Sequence, residues 1–226
     1  MIFTELERFA VLFSLKVALV SVLLAVPIAL ILSYILVNYR FRGSAVLENL
    51  FNLPLVLPPV VTGYLLLLFL NRNSLIGSVF EIVFKSDIAF AYPGAVIAAT
   101  VVSFPLVLRP VKLAMQSVDQ NYVLISRSLG VSKIRTFFKV VIPLSKSGII
   151  AGAILGFARS IGEFGATIML AGNIPFKTTT IPLAIFSSFN TTGGEPATMR
   201  LVIISILISF VAMIISELFS RRNKNV

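Results

Sequence analysis

An arginine and a glutamate stand four residues apart, Arg159 and Glu163, inside the otherwise apolar run FARSIGEFGATIM, Phe157 to Met169. Residues at this spacing are neighbours on one face of a helix and can form an ion pair. Ionisable groups in apolar surroundings are costly and rarely face lipid. Two chemistries are open for this pair. It can lock its helix to the neighbours, or Arg159 can attract an anion. A second concentration of charge is LISRSLGVSKIRTFFKVVIPL, Leu124 to Leu144, a basic stretch between apolar segments with a lone Gly130 in its middle. The rest of the inventory excludes most catalysis. There is no histidine, hence no usual general base and no commonest metal ligand. There is no cysteine, hence no disulfide and no thiolate chemistry. The nine acidic residues are scattered, with no close pair to hold a metal. A zinc H-E-x-x-H site and a Ser–His hydrolase are both impossible, and no G-x-x-x-x-G-K-[ST] phosphate loop occurs. No catalytic site, metal or cofactor is expected, which leaves transport, channel or scaffold.

Composition says where such a chain can live. Of 226 residues, 58% are hydrophobic and 12% charged, and the mean hydropathy is +1.01. Soluble domains carry about 25% charged residues, so this chain could not cover a water-facing surface. The expected fold class is all-α, a polytopic transmembrane helical bundle forming one domain over residues 1–226. The net charge of +10 does not point to nucleic acid, because the charges sit in short loops between apolar runs. No removable signal peptide is expected, since the first residues are acidic and the run after them is too long.

A bilayer core needs about 20 apolar residues in a helix, and five spans are expected. They are 9–37, with Lys16 snorkelling near its start and Pro27 kinking it; 46–70, with Pro54, Pro58, Pro59 and Gly63; 93–115, with Pro105, Pro110 and Arg109; 142–170; and 199–219. SLIGSVFEIVF, between the second and third, is too short to span and suits an interfacial helix. Loop charge orients the bundle. The first loop (Arg40, Arg42), the basic stretch and the tail RRNKNV are positive. The stub before the first span and the loops 71–92 and 171–197 are neutral or acidic. The two groups alternate, which puts the N-terminus outside and the basic stretch and C-terminus in the cytoplasm.

The basic stretch reads as a helix–turn–helix knob within the loop 116–143. Asp119 to Leu129 suits one short helix. Gly130 suits the left-handed residue that closes it, and Ser132 is an N-cap for a second that ends before Pro143. Val131, Ile134, Phe137, Phe138 and Val141 fall near one face, with Lys133, Arg135 and Lys139 elsewhere. By spacing alone this is equally an amphipathic pair resting on anionic lipid. Gly130, nine residues, then Val140-x-Ile142-Pro143 resembles the signature loop of importer-type ABC permeases, E-A-A-x-x-x-G-x(9)-I-x-L-P. The resemblance implies a coupling helix docking in a groove of a separate ATP-hydrolysing subunit, with Ser126, Arg127, Gly130, Lys133, Arg135 and Pro143 as the contact set. Leu124, Ile125 and Ser126 stand where the family has Glu-Ala-Ala.

Gly148, Gly152, Gly156 and Ser160 recur every four residues, a ridge that lets helices approach closely, either in the helix core or between two copies of the chain. After it, FARSIGEFGAT resembles the corresponding segment of oxyanion permeases of both sulfate and molybdate types. LPLVLPPVVTGYLLL (Leu53 to Leu67) and NIPFKTTTIPLAIF (Asn173 to Phe186) resemble the molybdate branch. The resemblance implies a homodimer of this subunit in a bacterial inner membrane, two ATP-binding subunits on its cytoplasmic side, and a periplasmic binding protein delivering the oxyanion. Transport would be by alternating access. Polar candidates for the pathway are Thr62, Thr100, Ser103, Ser160 and Thr167, although such residues also bond their own helix backbone. Tungstate and sulfate are tetrahedral dianions like molybdate and stay open as substrates. An ion-coupled secondary transporter would need paired broken helices from inverted repeats, and a non-transport scaffold is the remaining class.

Overall fold

The computed structural model describes residues 3–39, 42–84 and 86–222. Arg40, Lys85 and Lys224, among the loop charges read above, fall outside them. Helix α1, Glu5–Asn38, begins with a reciprocal cap: the Thr4 hydroxyl accepts from the Glu7 amide at 3.2 Å, and the Glu7 carboxylate accepts from the Thr4 amide at 2.8 Å. Its 34 residues reach about 50 Å at 1.5 Å per residue, and Pro27 lies inside it. Helix α2, Ser44–Asn52, tightens into a 3₁₀ turn, Leu53–Leu55, and the chain then bends by 114° into α3, Pro59–Leu70. The stretch 46–70, expected as one span, is therefore a broken one. The cause is Leu57-Pro58-Pro59: neither proline can donate to the helical ladder, and a residue before proline avoids the α region.

Helix α4, Leu75–Phe84, follows a turn closed by an Arg72–Glu81 ion pair. Helix α5, Tyr92–Gln116, carries Pro105 and Pro110 inside it, and the Lys16 ammonium sits 4.9 Å from the centre of the Tyr92 ring. The basic stretch forms α6, Gln120–Ser128, then α7, Lys133–Thr136, which continues through a wide π turn, Phe137–Val141, into α8, Ile142–Leu144. The chain then turns by 72° into α9, Lys146–Ile161. The stretch 142–170 is not one helix either: α9 stops at Ile161 and α10, Gly165–Leu170, restarts after Gly162-Glu163-Phe164. Helix α11, Ile181–Phe189, lies within what reads as a loop, and α12, Glu195–Arg222, ends the described chain. The fold is all-α. Helices α1, α5 and α12 are long and apolar enough to cross a membrane, and the count reaches five if each bent pair is one span.

The core is the bundle of α1, α5 and α9. The glycine ridge lies against α5 of its own chain, which settles one of its two readings. A Cβ on Gly148 would sit 2.4 Å from the Pro110 carbonyl oxygen, one on Gly152 2.8 Å from that of Val107, and one on Gly156 2.5 Å from a Val107 methyl. Ser160 continues the ridge and accepts a 2.9 Å hydrogen bond from Ser21 of α1. Around this contact Ala25, Ala29, Leu32, Phe104, Val107, Leu108 and Val111 are buried. At the far end from the knob, Arg200 of α12 donates to the buried Glu7 carboxylate at 2.6 and 3.1 Å. Ser14 of α1 accepts from the first amide of α11, Ile181, at 2.8 Å.

Two outcomes test this packing. Gly148→Ala forces its methyl into a backbone carbonyl and is expected to cost about 1–3 kcal/mol, whereas Ser147→Ala, on the exposed side, is not; equal melting temperatures of the two purified variants would refute the contact. Glu7→Ala strands Arg200 and is expected to cost about 3 kcal/mol, most of it recovered when both residues become methionine. Thermal unfolding in detergent reads the cycle, and additive losses would show that the two do not interact.

Candidate functional site

Two places gather the residues singled out by sequence. The first is the knob. Asp119 caps α6 by accepting from the Asn121 amide at 2.9 Å. The helix ends in a glycine-closed double bond: the Gly130 amide donates to the Arg127 carbonyl at 3.0 Å, and the Val131 amide to that of Ser126 at 3.2 Å. Gly130 has φ +79°, and a Cβ there would meet nothing within 4 Å of it. The glycine is thus set by its backbone angle and not by crowding. Ser132 then caps α7, accepting from the Arg135 amide at 3.3 Å. The hydroxyls of Ser126 and Thr136 lie 3.0 Å apart and tie the two helices together. Arg127 folds back onto the Val131 carbonyl at 2.8 Å.

The expected apolar face divides. Phe137 and Val141 turn inward; Phe137 stacks edge-on to Tyr34 of α1 at 4.8 Å and Val141 joins the core. Ile134 and Phe138 point out, 72% and 62% exposed, beside the exposed Leu124, Ile125 and Leu129. Lys133, Arg135 and Lys139 surround them, exposed and in no ion pair among the described residues. Pro143 is exposed in α8, where its missing N–H accompanies the wide turn before it. Between knob and α1 lies a cleft of about 220 Å³ lined by Tyr34, Asn38, Arg127, Lys133 and Thr136. The surface offered is an apolar ridge inside a basic rim.

The second place is the break between α9 and α10. Arg159 and Glu163 pair at 2.6 Å, with side chains 28% and 2% exposed. The other Glu163 oxygen accepts from the Ala166 amide at 2.8 Å, so this carboxylate also caps α10. The broken helices stack on one another. A Cβ on Gly63 of α3 would lie 2.6 Å from the Ala166 Cα, and one on Gly165 would lie 2.9 Å from the Pro59 Cβ. Irregular backbone at membrane depth is tolerated where protein buries it or where it lines a cavity.

The five polar pathway candidates do not converge. Thr100 bonds the Val96 carbonyl at 2.7 Å and Ser103 the Thr100 carbonyl at 3.3 Å, both within α5. Ser160 is spent on Ser21. Thr167 is buried in α10. Thr62, buried in α3, has a fully buried hydroxyl with no hydrogen-bond partner among the described residues.

Sequence reading missed three polar devices. The Glu7–Arg200 clamp joins residues 193 apart and has no sequence spacing, although Thr4-x-x-Glu7 marks the capping box that holds Glu7 in place. Glu48 pairs with Lys112 at 2.5 Å while Arg109 donates to Asn52 at 3.0 Å, fastening α2 to the knob end of α5. Buried Thr178 and Thr179 with Asn173 knot the segment before α11 through bonds of 2.9 Å; no spacing rule announces that knot.

The model of the family described as "Binding-protein-dependent transport system inner membrane component" matches residues 19–225. The molybdenum transport system permease protein ModB of Escherichia coli (strain K12) is 46% identical over 221 residues, covering 98% of this chain and 96% of that one. ModB of Haemophilus influenzae is 42% identical, covering 96% and 95%. The fold is also that of a bacterial ABC transporter involved in the import of the acidic polysaccharide alginate, with a TM-score of 0.75 at 14% identity over 97% of this chain and 80% of that one. A member of this family works with an ATP-binding subunit and a substrate-binding protein. The chain belongs to the binding-protein-dependent transport system inner membrane components, as a multi-pass permease subunit of an ABC importer.

Proposed function

We propose that this subunit forms, with a second copy of itself, the membrane pathway of a molybdate importer. The observation that carries the reading is the 46% identity to a molybdenum permease over nearly the full length of both chains. ATP hydrolysis belongs to two partner subunits on the cytoplasmic side, and a periplasmic protein delivers the anion. The N-terminus faces the periplasm and the C-terminus the cytoplasm, as the positive loops require.

In this reading the knob receives the ATPase. Ser126, Arg127, Gly130, Lys133, Arg135 and Pro143 shape it, and the exposed Ile134 and Phe138 are its apolar anchors. The support is physical. A monomer gains nothing by holding a large apolar ridge in water beside fixed cations, and a groove with an acidic rim would cover both. Closure of the ATPase pair around ATP would draw the two knobs together and turn the pathway outward; hydrolysis would return it inward.

Two measurements test this. Labelled molybdate uptake by proteoliposomes holding the complete transporter is expected to be ATP-dependent, blocked by excess tungstate and little affected by equal sulfate; equal inhibition by sulfate would make this a general oxyanion permease, and gradient-driven uptake by this chain alone would refute the importer. Ile134→Asp with Phe138→Asp is expected to lower ATPase co-purification about tenfold or more, as loss of apolar anchors does, without moving the subunit's melting temperature; retained co-purification would remove the knob from the interface.

A further inference from the structure

We infer that Arg159 is the intramembrane contact for the transported oxyanion, and that Glu163 is a positioning residue that aims its guanidinium and weakens its hold. The inference rests on the anion-importer reading above and names a site within it.

Depth comes first. Ser160 is bonded to Ser21, and Ser21 lies at the middle of α1, Glu5–Asn38. Arg159 is therefore at mid-membrane, where an open guanidinium cannot face hydrocarbon. Yet its side chain is 28% exposed, and Glu163 is its one acceptor among the described residues. The free side of the guanidinium must face a partner copy or water.

The surroundings favour water. Gly162, next to the pair, is exposed. The two broken elements of the fold meet here, α3 starting at Pro59 against α10 starting at Gly165. Elsewhere α9 packs on α5 through its glycines and on α1 through the Ser21 bond, and the open groove it shares with α1 and α12 is lined by apolar side chains such as Ile154, Phe157 and Leu207, so the break is its polar opening.

The pairing geometry fits an anion in transit. Glu163 spends one oxygen on the Ala166 amide and the other on one guanidinium nitrogen, which fixes the carboxylate and leaves Arg159 donors unspent. A guanidinium presents five N–H donors in a flat fork that matches a tetrahedral oxyanion. A bare arginine at this depth would hold a dianion too tightly to release it. An arginine half-neutralised by a fixed carboxylate holds it weakly, as a pathway must.

The complete transporter, with its ATPase and binding protein, decides the matter in proteoliposomes with labelled molybdate as probe. The variants are Arg159→Gln, Glu163→Gln, both together, and Arg159→Lys. A purely structural ion pair predicts that the double variant, neutral and still hydrogen-bonding, regains both the wild-type melting temperature and uptake; that result overturns the inference. The anion contact predicts a recovered melting temperature with uptake still about tenfold down, while ATP hydrolysis stimulated by the binding protein continues. Glu163→Gln, which frees the arginine, is expected to make molybdate inside the vesicle inhibit uptake at about tenfold lower concentration. Should the double variant not assemble, Arg159→Lys decides, because lysine keeps the ion pair but loses the fork. A severalfold loss of uptake at an unchanged melting temperature supports the contact, and unchanged uptake overturns it. If the wild-type complex takes up no molybdate, the molybdate reading fails instead, and the variants are then read against whichever oxyanion it does carry.

Discussion

The rest of the molecule depends on how closely α9 lies against α5. Three glycines at four-residue spacing bring the α9 backbone onto two carbonyls and a valine methyl of α5, and any side chain there would drive the helices apart. Lipid tails offer helices no hydrophobic reason to associate, so close van der Waals contact has to supply it. This contact seats α9 between the corner where the chain leaves the knob, at Ser145, and the break at Gly162. It also turns Ser160 toward α1, which sets the depth of the arginine beside it.

Charge is distributed by the same economy. Glu7, Glu48, Glu81 and Glu163 each meet an arginine or lysine. Each pair ties two segments: α1 to α12, α2 to α5, the later part of α4 to the turn before it, α9 to the break before α10. The exposed cations of the knob have no such partner among the described residues. These four carboxylates are used where the subunit holds itself together, and the knob keeps its cations unpaired among the described residues.

Much of this was legible in the sequence. The long apolar runs announced α1, α5 and α12, and the lack of histidine and cysteine left little room for catalysis. Asp119, Gly130 and Ser132 announced the knob, because caps and left-handed residues are local signals. The glycine ridge and the Arg159–Glu163 spacing were equally local. What stayed hidden was tertiary. Proline spacing signalled trouble in 46–70 but not a bend of 114°, since a bend angle depends on what the two halves pack against. The break after Ile161 was hidden because Glu163 caps the next helix only once the chain has already turned. Helix α11 was hidden because its first amide is satisfied by Ser14, 167 residues away. Charges across the bundle, such as Glu7 and Arg200, have no sequence spacing to betray them.

The corner at Ser145 has a mechanical meaning. The knob joins α9 through a single 72° turn, with no slack loop between. In the importer proposed above, a push on the knob is delivered as torque at one end of a rod of about 24 Å, sixteen residues at 1.5 Å each. Because glycine contacts seat that rod on the α5 backbone, neither helix can rotate about its own axis without lifting off the other. The two must swing as one rigid plate, and the free end of that plate is the Gly162 break. In that reading a stroke made at the knob is spent there, where the chain is least regular.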